Sequence, residues 1–537
     1  MAAREFLYTD RGEPKVVFPA VIVLVITIVV GALGLRVFRR EQGDAERAAY
    51  LSRSGRFDAA EALYLKALRD KPTVPVALAF IENNRRASRT GSSEVDPARP
   101  EKQAAHVMRD AEVGAFLSSA LPPDVSLVAR FAYESMKGDV SPEVRGAVTI
   151  GSMRDPPTAW HSHMLGVEAA KEGRALDAAD AYVREGLAFP ERTGDIDLAL
   201  GILIEANAWD EVRTRMQDAR VRDAADAATK YHIASHEGDW LGAVKWALLG
   251  PRSHVDLSSL IMTGVAALAW AFFCSRLGKL GERPLFRGPL YLTAFVLGVF
   301  SVVPTMFLIV VEETKLHIVE SGDPLRDALF FVFGVGLREE ASKLLLFLPL
   351  YPLLRKWGDK LDVLVCGAMV GLGFAAEENL GYLASGDLHT GLARFVTANF
   401  FHMALTGIVA HALDDFLRDT ERNAASFMRA TLMVVGLHGA YDFLLSHEEL
   451  GGSYMAMMVF IFLTRLFLVA VDDARRKRGR GLSLVHSFVF ATAVVTGVTA
   501  VRAYAMVGAS SAAFVMSEGL LGVAIILIVF VRTLSEM

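Results

Sequence analysis

The second half of the chain consists of about nine apolar runs, each about as long as a helix that crosses a lipid bilayer. A transmembrane helix needs about 20 consecutive apolar residues. With 53% hydrophobic residues and a mean hydropathy of +0.34, the chain is more apolar than an ordinary soluble protein. We therefore predict an all-α fold whose membrane domain, residues 257–531, is a polytopic helical bundle. The runs lie near residues 257–275, 289–311, 325–354, 361–383, 390–417, 427–446, 453–471, 482–507 and 509–531.

A separate apolar run, from Val16 to Leu35, lies near the start of the chain. It is longer than the core of a signal peptide, and RVFRREQ follows it where a small-residue cleavage site would stand. We expect a retained transmembrane anchor over residues 16–37 after an N-terminal tail of residues 1–15. Cleavage of this segment is the alternative.

Between the anchor and the membrane domain, residues 41–256 are charged and Ala-rich. Two stretches, Ala45–Pro72 and His163–Pro190, resemble the tetratricopeptide repeat, a stacked helix pair of about 34 residues. A looser echo surrounds Trp240. We predict an α-solenoid of tetratricopeptide-like repeats, with a generic Ala-rich helical bundle as the alternative. Residues 83–103 are expected to form a flexible loop within this domain.

Lys and Arg are concentrated in alternate loops of the membrane domain, and such loops usually face the cytoplasm. The intervening loops, such as SGDLHTG and SHEELGGS, contain no Lys or Arg. We therefore expect the repeat domain to lie on the extracytoplasmic side. Arg36, Arg39 and Arg40 follow the first anchor on its expected outer side and argue against this placement. The residues of the basic loops are Arg276, Lys279, Arg283 and Arg287; Arg355, Lys356 and Lys360; Arg418 and Arg422; and Arg475 to Arg478 with Arg480.

Four consecutive membrane runs contain acids, histidines or a lysine. A charged side chain at the centre of a transmembrane helix costs about 2.5–3.5 kcal/mol on insertion scales. Such residues indicate a functional site unless they only pair with one another. We expect the four runs to contribute to one polar cavity. The residues are Glu339, Glu340 and Lys343; Glu377, Glu378 and Asn379; His402 and His411; and His438 and Asp442.

The spacing of these residues suggests roles. Glu339 and Lys343 have the favourable i, i+4 order for an ion pair on a helix. We expect this one lysine to neutralise only one of the adjacent acids Glu339 and Glu340 fully, which leaves a candidate general acid or base. His438 and Asp442 are also four residues apart, which suits two ligands of one metal, or a histidine and the carboxylate that orients it.

The same positions also have structural interpretations. His402 and His411 lie about 180° apart on a regular helix, so they cannot both face one site, and we select His402. A Glu339–Lys343 ion pair could be purely structural. Asn379 could serve to hold neighbouring helices together.

Four short motifs follow one another on successive runs: EEASK (Glu339–Lys343), FAAEEN (Phe374–Asn379), HMALTG (His402–Gly407) and HGAYD (His438–Asp442). In this order they resemble the PrsW family of intramembrane proteases, a distant relative of the CAAX prenyl endopeptidases. The resemblance covers roughly residues 290–450. It implies regulated cleavage of a membrane-anchored protein, of which an anti-sigma factor is the best-known type.

The resemblance also implies roles for the matching positions. Glu339 and Glu340 would activate water, and Lys343 and Asn379 complete the predicted catalytic set. The positions for metal or oxyanion contacts are Glu378, His402, His438 and Asp442. We expect a bacterial inner-membrane protein whose repeat domain recruits a substrate or another protein partner.

As a mechanism, we expect a water molecule held by Glu340 or Glu339 to attack a peptide carbonyl. A divalent metal, zinc above all, held by His402, His438 and a carboxylate would activate that water and polarise the carbonyl. The sequence has no HExxH motif. A metal-free version therefore stays open, in which His438 and Asp442 stabilise the oxyanion.

Two other functional classes share these features. A proton- or cation-coupled transporter also needs membrane carboxylates and histidines, although the polar motifs do not repeat between the halves of the membrane domain. A non-catalytic receptor or scaffold would bind a partner through the repeats. The net charge of −5 gives no reason to expect nucleic acid as a partner. Cys274 and Cys366, both in apolar runs, are expected to be reduced thiols.

Overall fold

In this computed structural model, helices are the only regular elements among the described residues, which confirms the predicted all-α class. The described residues divide into two compact units, one within residues 39–233 and one within residues 234–537. The predicted tail and anchor at residues 1–37 lie outside the described part. The described residues are 43–89, 108–250, 255–384, 388–447, 452–475 and 484–507, except 54, 109, 193 and 256, together with parts of 512–534.

The first unit is built from short helices joined by tight turns. Its core contains buried Ala178, Ala179, Ile196 and Leu200. The helices are α1 (Asp44–Arg53), α2 (Phe57–Asp70), α3 (Val74–Arg89), α4 (Asp110–Ser119), α5 (Pro123–Lys137), α6 (Pro142–Ser152), α7 (His161–Lys171), α8 (Ala175–Ala188), α9 (Gly194–Glu205), α10 (Trp209–Met216), α11 (Ala219–Ala224) and α12 (Ala227–Glu237).

The two stretches that resemble tetratricopeptide repeats form the helix pairs α1–α2 and α7–α8. Their turns contain Gly55 and Gly173, both with a φ of +73°, a left-handed conformation that favours glycine. In the second pair, a Cβ on Gly166 would come within 2.9 Å of the Tyr182 ring. A small residue therefore lets these two helices approach each other. That the unit belongs to the tetratricopeptide class stays a prediction.

Helix α3 extends past the point where we expected a loop to begin. Asn83 is buried, and its Nδ2 donates to the carbonyl oxygen of Phe57 (3.0 Å). Glu82 pairs with Arg85 (2.6 Å). Because these polar groups are paired within the helical unit, the helix continues to Arg89. Residues 83–89 are therefore helical, and our expectation of a flexible loop from residue 83 is wrong for this stretch. The rest of that loop lies outside the described residues.

The second unit contains the long apolar helices. Five described segments are long and apolar enough to cross a membrane: 259–277, 284–316, 394–418, 454–475 and 484–505. The predicted total of about nine spans stays a prediction. The helices are α13 (Trp240–Leu249), α14 (Leu257–Leu277), α15 (Pro284–Phe300), α16 (Val302–Val311), α17 (Pro324–Leu329), α18 (Leu337–Phe347), α19 (Tyr351–Trp357), α20 (Lys360–Ala384), α21 (Leu388–Arg418), α22 (Thr420–Ser446), α23 (Gly452–Arg475) and α24 (Leu484–Val507).

The stretch around Trp240 belongs to this second unit. The Trp240 ring lies 6.3 Å from the ring of Phe307 in α16, and the Lys315 ammonium lies over it at 5.2 Å. The two units divide between residues 233 and 234, ahead of the expected domain limit at 256. The looser repeat echo near Trp240 therefore corresponds to α13, which packs on a membrane helix.

The third apolar run, expected over residues 325–354, is not one regular helix. A π-helical segment, Phe330–Gly336, separates α17 from α18. This segment crosses α22 in close contact, because a Cβ on Gly439 would lie 2.4 Å from the Cα of Val332. Gly336 approaches the α22 backbone in the same way. The glycines thus let the start of α18 and the middle of α22 come together.

Helix α20 is held closely between α15 and α21. A Cβ on Gly371 would lie 2.1 Å from the carbonyl oxygen of His402, and one on Gly373 would lie 2.0 Å from that of Phe295. Only glycine permits these backbone approaches. They place the C-terminal half of α20, which contains Glu378, beside the His402 turn of α21.

The basic loops, expected to share one side of the membrane, meet at one end of the second unit. Contacts among the described residues join the helix ends next to these loops, and the membrane topology stays a prediction. Which side of the membrane this end faces stays a prediction. The contacts include Arg287 Nε to Asp362 Oδ1 (2.6 Å), Lys279 Nζ to the carbonyl oxygen of Arg475 (3.0 Å), and Arg355 NH1 to that of Leu417 (2.8 Å).

Candidate active site

Four helices bring seven of the predicted site residues into one connected group, which we call the polar cluster. Three come from α18, one each from α20 and α21, and two from α22. The close glycine crossings described above determine this convergence, because they fix α18 against α22 and α20 against α21. The members are Glu339, Glu340, Lys343, Glu378, His402, His438 and Asp442.

Lys343 lies at the centre of the polar cluster and is fully buried. Its Nζ donates to Glu340 Oε1 (2.8 Å), to His402 Nδ1 (2.9 Å) and to Glu339 Oε2 (3.3 Å). The ammonium also lies 4.0 Å from the centre of the Phe374 ring. We expected one lysine to satisfy only one of the two acids fully. It contacts both, and the contact with Glu340 is the shorter one.

His438 lies among three carboxylates. Its Nδ1 is 2.9 Å from Glu340 Oε1, and its Nε2 is 3.3 Å from Asp442 Oδ2 and 3.4 Å from Glu339 Oε2. The His438–Asp442 spacing predicted either two metal ligands or a histidine with its orienting acid. The direct imidazole–carboxylate contact matches the second arrangement.

His402 connects Lys343 to Glu378. Because Lys343 donates to His402 Nδ1, the opposite nitrogen, Nε2, carries the proton that it donates to Glu378 Oε2 (3.0 Å). The other Glu378 oxygen pairs with Arg394 (2.9 Å), whose guanidinium lies over the Tyr382 ring at 3.5 Å. Arg394 was not among the site residues predicted from the sequence. In the sequence it appears only as an arginine near the start of an apolar run.

Glu340 has a complete set of partners. In addition to Lys343 and His438, its Oε2 accepts a hydrogen bond from Thr406 Oγ1 (3.1 Å). Glu340 is 2% exposed, so it is almost completely buried. Thr406, four residues after His402 in the HMALTG motif, was also missed, although its i, i+4 position placed it on the same helix face.

Asn379 does not take the catalytic position that we expected. It is buried, its Nδ2 donates to Asn399 Oδ1 (3.0 Å), and its Oδ1 accepts from Arg394 Nε (3.2 Å). These contacts follow from the helical periodicity, since the residue after Glu378 points about 100° away around α20. Asn379 therefore holds Arg394 in position, and Arg394 in turn contacts Glu378 of the polar cluster.

Two further ionisable residues lie outside the polar cluster. Arg338, which precedes the two glutamates, forms a buried ion pair with Glu312. His411 lies further along α21 than His402, towards the basic end. The structure thus places His402 in the polar cluster and His411 outside it.

A cavity of about 480 Å³ opens beside the polar cluster. Glu339 belongs to both, since it lines the cavity and contacts Lys343 and His438. Glu378 also lines it, while most of the wall is apolar. The remaining lining residues are Ala247, Leu248, Val302, Thr305, Met306, Ile309, Phe374, Glu377, Gly381 and Tyr382.

Three members of the polar cluster fit a metal ion. Glu339, His402 and His438 each offer one ligand atom, and these atoms all lie within 4.8 Å of one another. A carboxylate with two imidazoles is a donor set found in catalytic zinc sites. We expected Glu378 and Asp442 as ligands. In the structure Glu378 contacts His402 Nε2, and Asp442 contacts His438 Nε2, the nitrogen that Glu339 also contacts. The group with metal-ligand spacing includes Glu339 instead of these two acids.

Comparison with known proteins gives a consistent result. The family model described as "PrsW family intramembrane metalloprotease" matches residues 287–467, a range that includes the whole polar cluster. A Protease PrsW of Oceanobacillus iheyensis is 25% identical over 221 residues, which are 41% of this chain and 95% of that protein. The Geobacillus kaustophilus protein of that name is 27% identical over 42% of this chain and 92% of its own length.

A third relative, the Protease PrsW of Bacillus subtilis, is 29% identical over 38% of this chain and 90% of its own length. No solved structure matches the chain. The matched range leaves the helical unit of residues 39–233 outside it. Together with the long apolar helices, these matches confirm the resemblance seen in the four motifs: this chain is an integral membrane protein, and its residues 287–467 match the PrsW family of intramembrane proteases.

Proposed function

We propose that the polar cluster hydrolyses a peptide bond of a membrane-anchored protein within the bilayer. The observation that carries this proposal is the position of Glu339. It is the α18 carboxylate that reaches the cavity, where a substrate segment can bind, and it also contacts Lys343 (3.3 Å) and His438 (3.4 Å). A hydrolytic site needs such a group between the substrate and the charged network.

Glu339 acts as the proton carrier in this proposal. A water molecule in the cavity gives its proton to the Glu339 carboxylate as it adds to the carbonyl carbon. Glu339 then gives that proton to the amide nitrogen as the carbon–nitrogen bond breaks. The apolar wall of the cavity excludes bulk water and strengthens the electrostatic interactions of these groups.

Glu340 has a positioning role. Its oxygens hold Lys343 (2.8 Å), His438 (2.9 Å) and Thr406 (3.1 Å), so it fixes residues from three helices. Lys343 in turn offsets the negative charge of Glu339 and Glu340. The sequence left both acids as candidates for water activation, and the position of Glu339 at the cavity favours that residue.

The residues that would hold a divalent metal are Glu339, His402 and His438, and zinc suits this donor set. In this version one Glu339 oxygen would bind the ion, and the other oxygen would carry the proton. When bound, the ion would polarise the substrate carbonyl and activate water. Glu378, on His402 Nε2, and Glu340, on His438 Nδ1, would orient the two imidazoles. Asp442 lies beside His438 Nε2, the nitrogen that Glu339 also contacts. Lys343 contacts Glu339 and His402, so it must give up these contacts for the ion to bind.

A metal-free version uses the same residues differently. Lys343 supplies the positive charge next to Glu339, and His438, held between Glu340 and Asp442, stabilises the oxyanion. Metal analysis of the purified chain separates the two versions. A metal equivalent that is present in the wild type and absent from His402→Ala supports the metal version, and equal content in both supports the metal-free one.

For the substrate and the repeat unit we propose the arrangement that the sequence implies. The substrate is a membrane-anchored protein, with an anti-sigma factor as the type that the family resemblance implies. The helical unit of residues 39–233 lies on the extracytoplasmic side of a bacterial inner membrane and recruits the substrate or a second protein. Its contiguous helix pairs give a surface suited to binding a peptide or another protein.

The test compares membrane proteins of cells that carry the wild type, Glu339→Gln or Glu421→Gln. Glu421 is an exposed acid at the start of α22 and serves as the matched control. We expect a membrane protein to accumulate uncut only with Glu339→Gln, with a rate at least about 100-fold lower for purified enzyme and substrate. Cleavage at the wild-type rate by Glu339→Gln would rule out the assigned role.

A further inference from the structure

A second group of metal-ligand residues lies outside the polar cluster and shares no residue with it. It consists of Glu320, Asp327 and His447, whose ligand atoms all lie within 4.8 Å of one another. Glu320 is in the loop before α17, Asp327 is in α17, and His447 directly follows α22. Neither the four sequence motifs nor the proposed hydrolysis uses these residues.

Asp327 is held in a fixed orientation. It is fully buried, and its Oδ1 accepts hydrogen bonds from the backbone nitrogen (2.6 Å) and the hydroxyl (2.9 Å) of Ser321. Its Oδ2 accepts from the backbone nitrogen of Gly322 (3.0 Å). Gly322 has a φ of +78°, which lets the loop fold back over the carboxylate. The same Oδ2 faces His447.

His447 presents an unusual pair of contacts. Its Nδ1 lies 3.1 Å from the carbonyl oxygen of Phe443, and its ring packs on the Phe443 ring with centroids 4.3 Å apart. A carbonyl oxygen can only accept, so Nδ1 carries a proton, and in the neutral imidazole Nε2 has the lone pair. This nitrogen lies 3.8 Å from Asp327 Oδ2.

The distance between His447 Nε2 and Asp327 Oδ2 is too long for a hydrogen bond. Zinc ligands at about 2.0–2.1 Å from the ion lie about 3.3 Å from each other in a tetrahedral site. His447 Nε2 and Asp327 Oδ2 need to move only slightly closer together to reach this ligand–ligand distance. The arrangement of His447, with Nδ1 on a backbone carbonyl and Nε2 free for a metal, is the usual one for a metal-bound histidine. Glu320 supplies a second carboxylate.

We propose that Glu320, Asp327 and His447 bind a divalent transition metal, for which zinc is the best match. The ion has a structural role. It ties the loop before α17 to the end of α22. Asp327 precedes the segment that leads to Glu339, and His447 follows the helix that contains His438. The ion thus holds together the ends of the two segments on which the polar cluster depends.

The test measures zinc bound to the full chain, purified in detergent with a tag that contains no histidine. The protein is equilibrated with zinc chloride and dialysed, and its zinc content is measured by mass spectrometry. The variants are His447→Ala, Glu320→Gln and His402→Ala, with His317→Asn as the control. His317 is an exposed histidine of the same loop, with a φ of +52° that asparagine tolerates.

We expect His447→Ala to lose one zinc equivalent and Glu320→Gln to bind that equivalent at least about tenfold more weakly. His402→Ala and His317→Asn keep it. This result would hold even if the polar cluster works without metal, because the equivalent depends on His447 and not on His402. Wild-type zinc content in both His447→Ala and Glu320→Gln, or no zinc in the wild type, would overturn the proposal. Glu320 is exposed, so its variant decides the matter if His447→Ala does not fold.

Discussion

The crossing of α22 over the π-helical segment leads to a sharp prediction about Gly439. A Cβ at this position would lie 2.4 Å from the Cα of Val332 and 2.5 Å from the carbonyl oxygen of Phe331. Both are backbone atoms, so no side-chain rotation can relieve the contact. Gly439→Ala should therefore push α22 away from the segment that leads into α18.

The size of the effect follows from these distances. An ordinary contact begins at 3.4 Å, so the helices must separate by about 1 Å. Overpacking of this kind costs about 1–3 kcal/mol of stability. The neighbouring residue, His438, would move away from Glu339 and Glu340, and a misplacement of about 1 Å can lower a catalytic rate about 100-fold. We expect a loss of activity larger than the loss of stability would cause.

The matched control is Gly436→Ala, on the same helix. A Cβ at Gly436 would meet nothing within 4 Å, so this variant should keep wild-type activity and gain slightly from the higher helix propensity of alanine. The assays are the cleavage rate of the purified enzyme and thermal unfolding in the same detergent. Wild-type activity in Gly439→Ala, or equal losses in both variants, would refute the reasoning.

Three other predictions concern buried contacts of the second unit. Arg394→Gln removes the cation beside Glu378. We expect the free energy of unfolding, measured by thermal unfolding, to fall by about 2 kcal/mol, which is less than the roughly 3–5 kcal/mol of fully buried pairs because both side chains keep some exposure. The double variant with Glu378→Gln should recover part of this loss, and no recovery would contradict the pairing. Thr406→Val keeps the side-chain shape but removes the hydroxyl that donates to Glu340 Oε2. The free energy of unfolding in the same assay should therefore fall by about 1–3 kcal/mol, and an unchanged value would contradict this prediction. Cys274 and Cys366 are buried free thiols, and a maleimide should label them only after denaturation, whereas rapid labelling of the folded chain would contradict their burial.

The membership of the polar cluster was largely predictable from the sequence. Each acid or histidine in an apolar run is costly unless it has a partner or a function, so Glu339, Glu378, His402 and His438 were conspicuous. Their order along successive runs indicated that they meet. The spacing of Lys343 also predicted its contact with Glu339.

The exact division of roles was less predictable, because it depends on how helices cross. The π-helical segment Phe330–Gly336 alters the number of residues per turn, so a regular projection of the whole run misjudges which face α18 presents. The contact of Arg394 with Glu378 joins residues on different helices. The periodicity of one helix cannot predict such a pair. The spacing of Glu339 and Glu340 likewise does not indicate which of them reaches the cavity.

The central position of Lys343 has a consequence for how the protein reaches its membrane-embedded state. An ammonium attached to the same helix as two glutamates enters the bilayer with them, so it offsets one of their two negative charges from the moment α18 is inserted. Assembly of the bundle therefore depends less on an external cation. Lys343 is a counter-ion within the chain itself, so a metal that binds later binds to a site that is already folded.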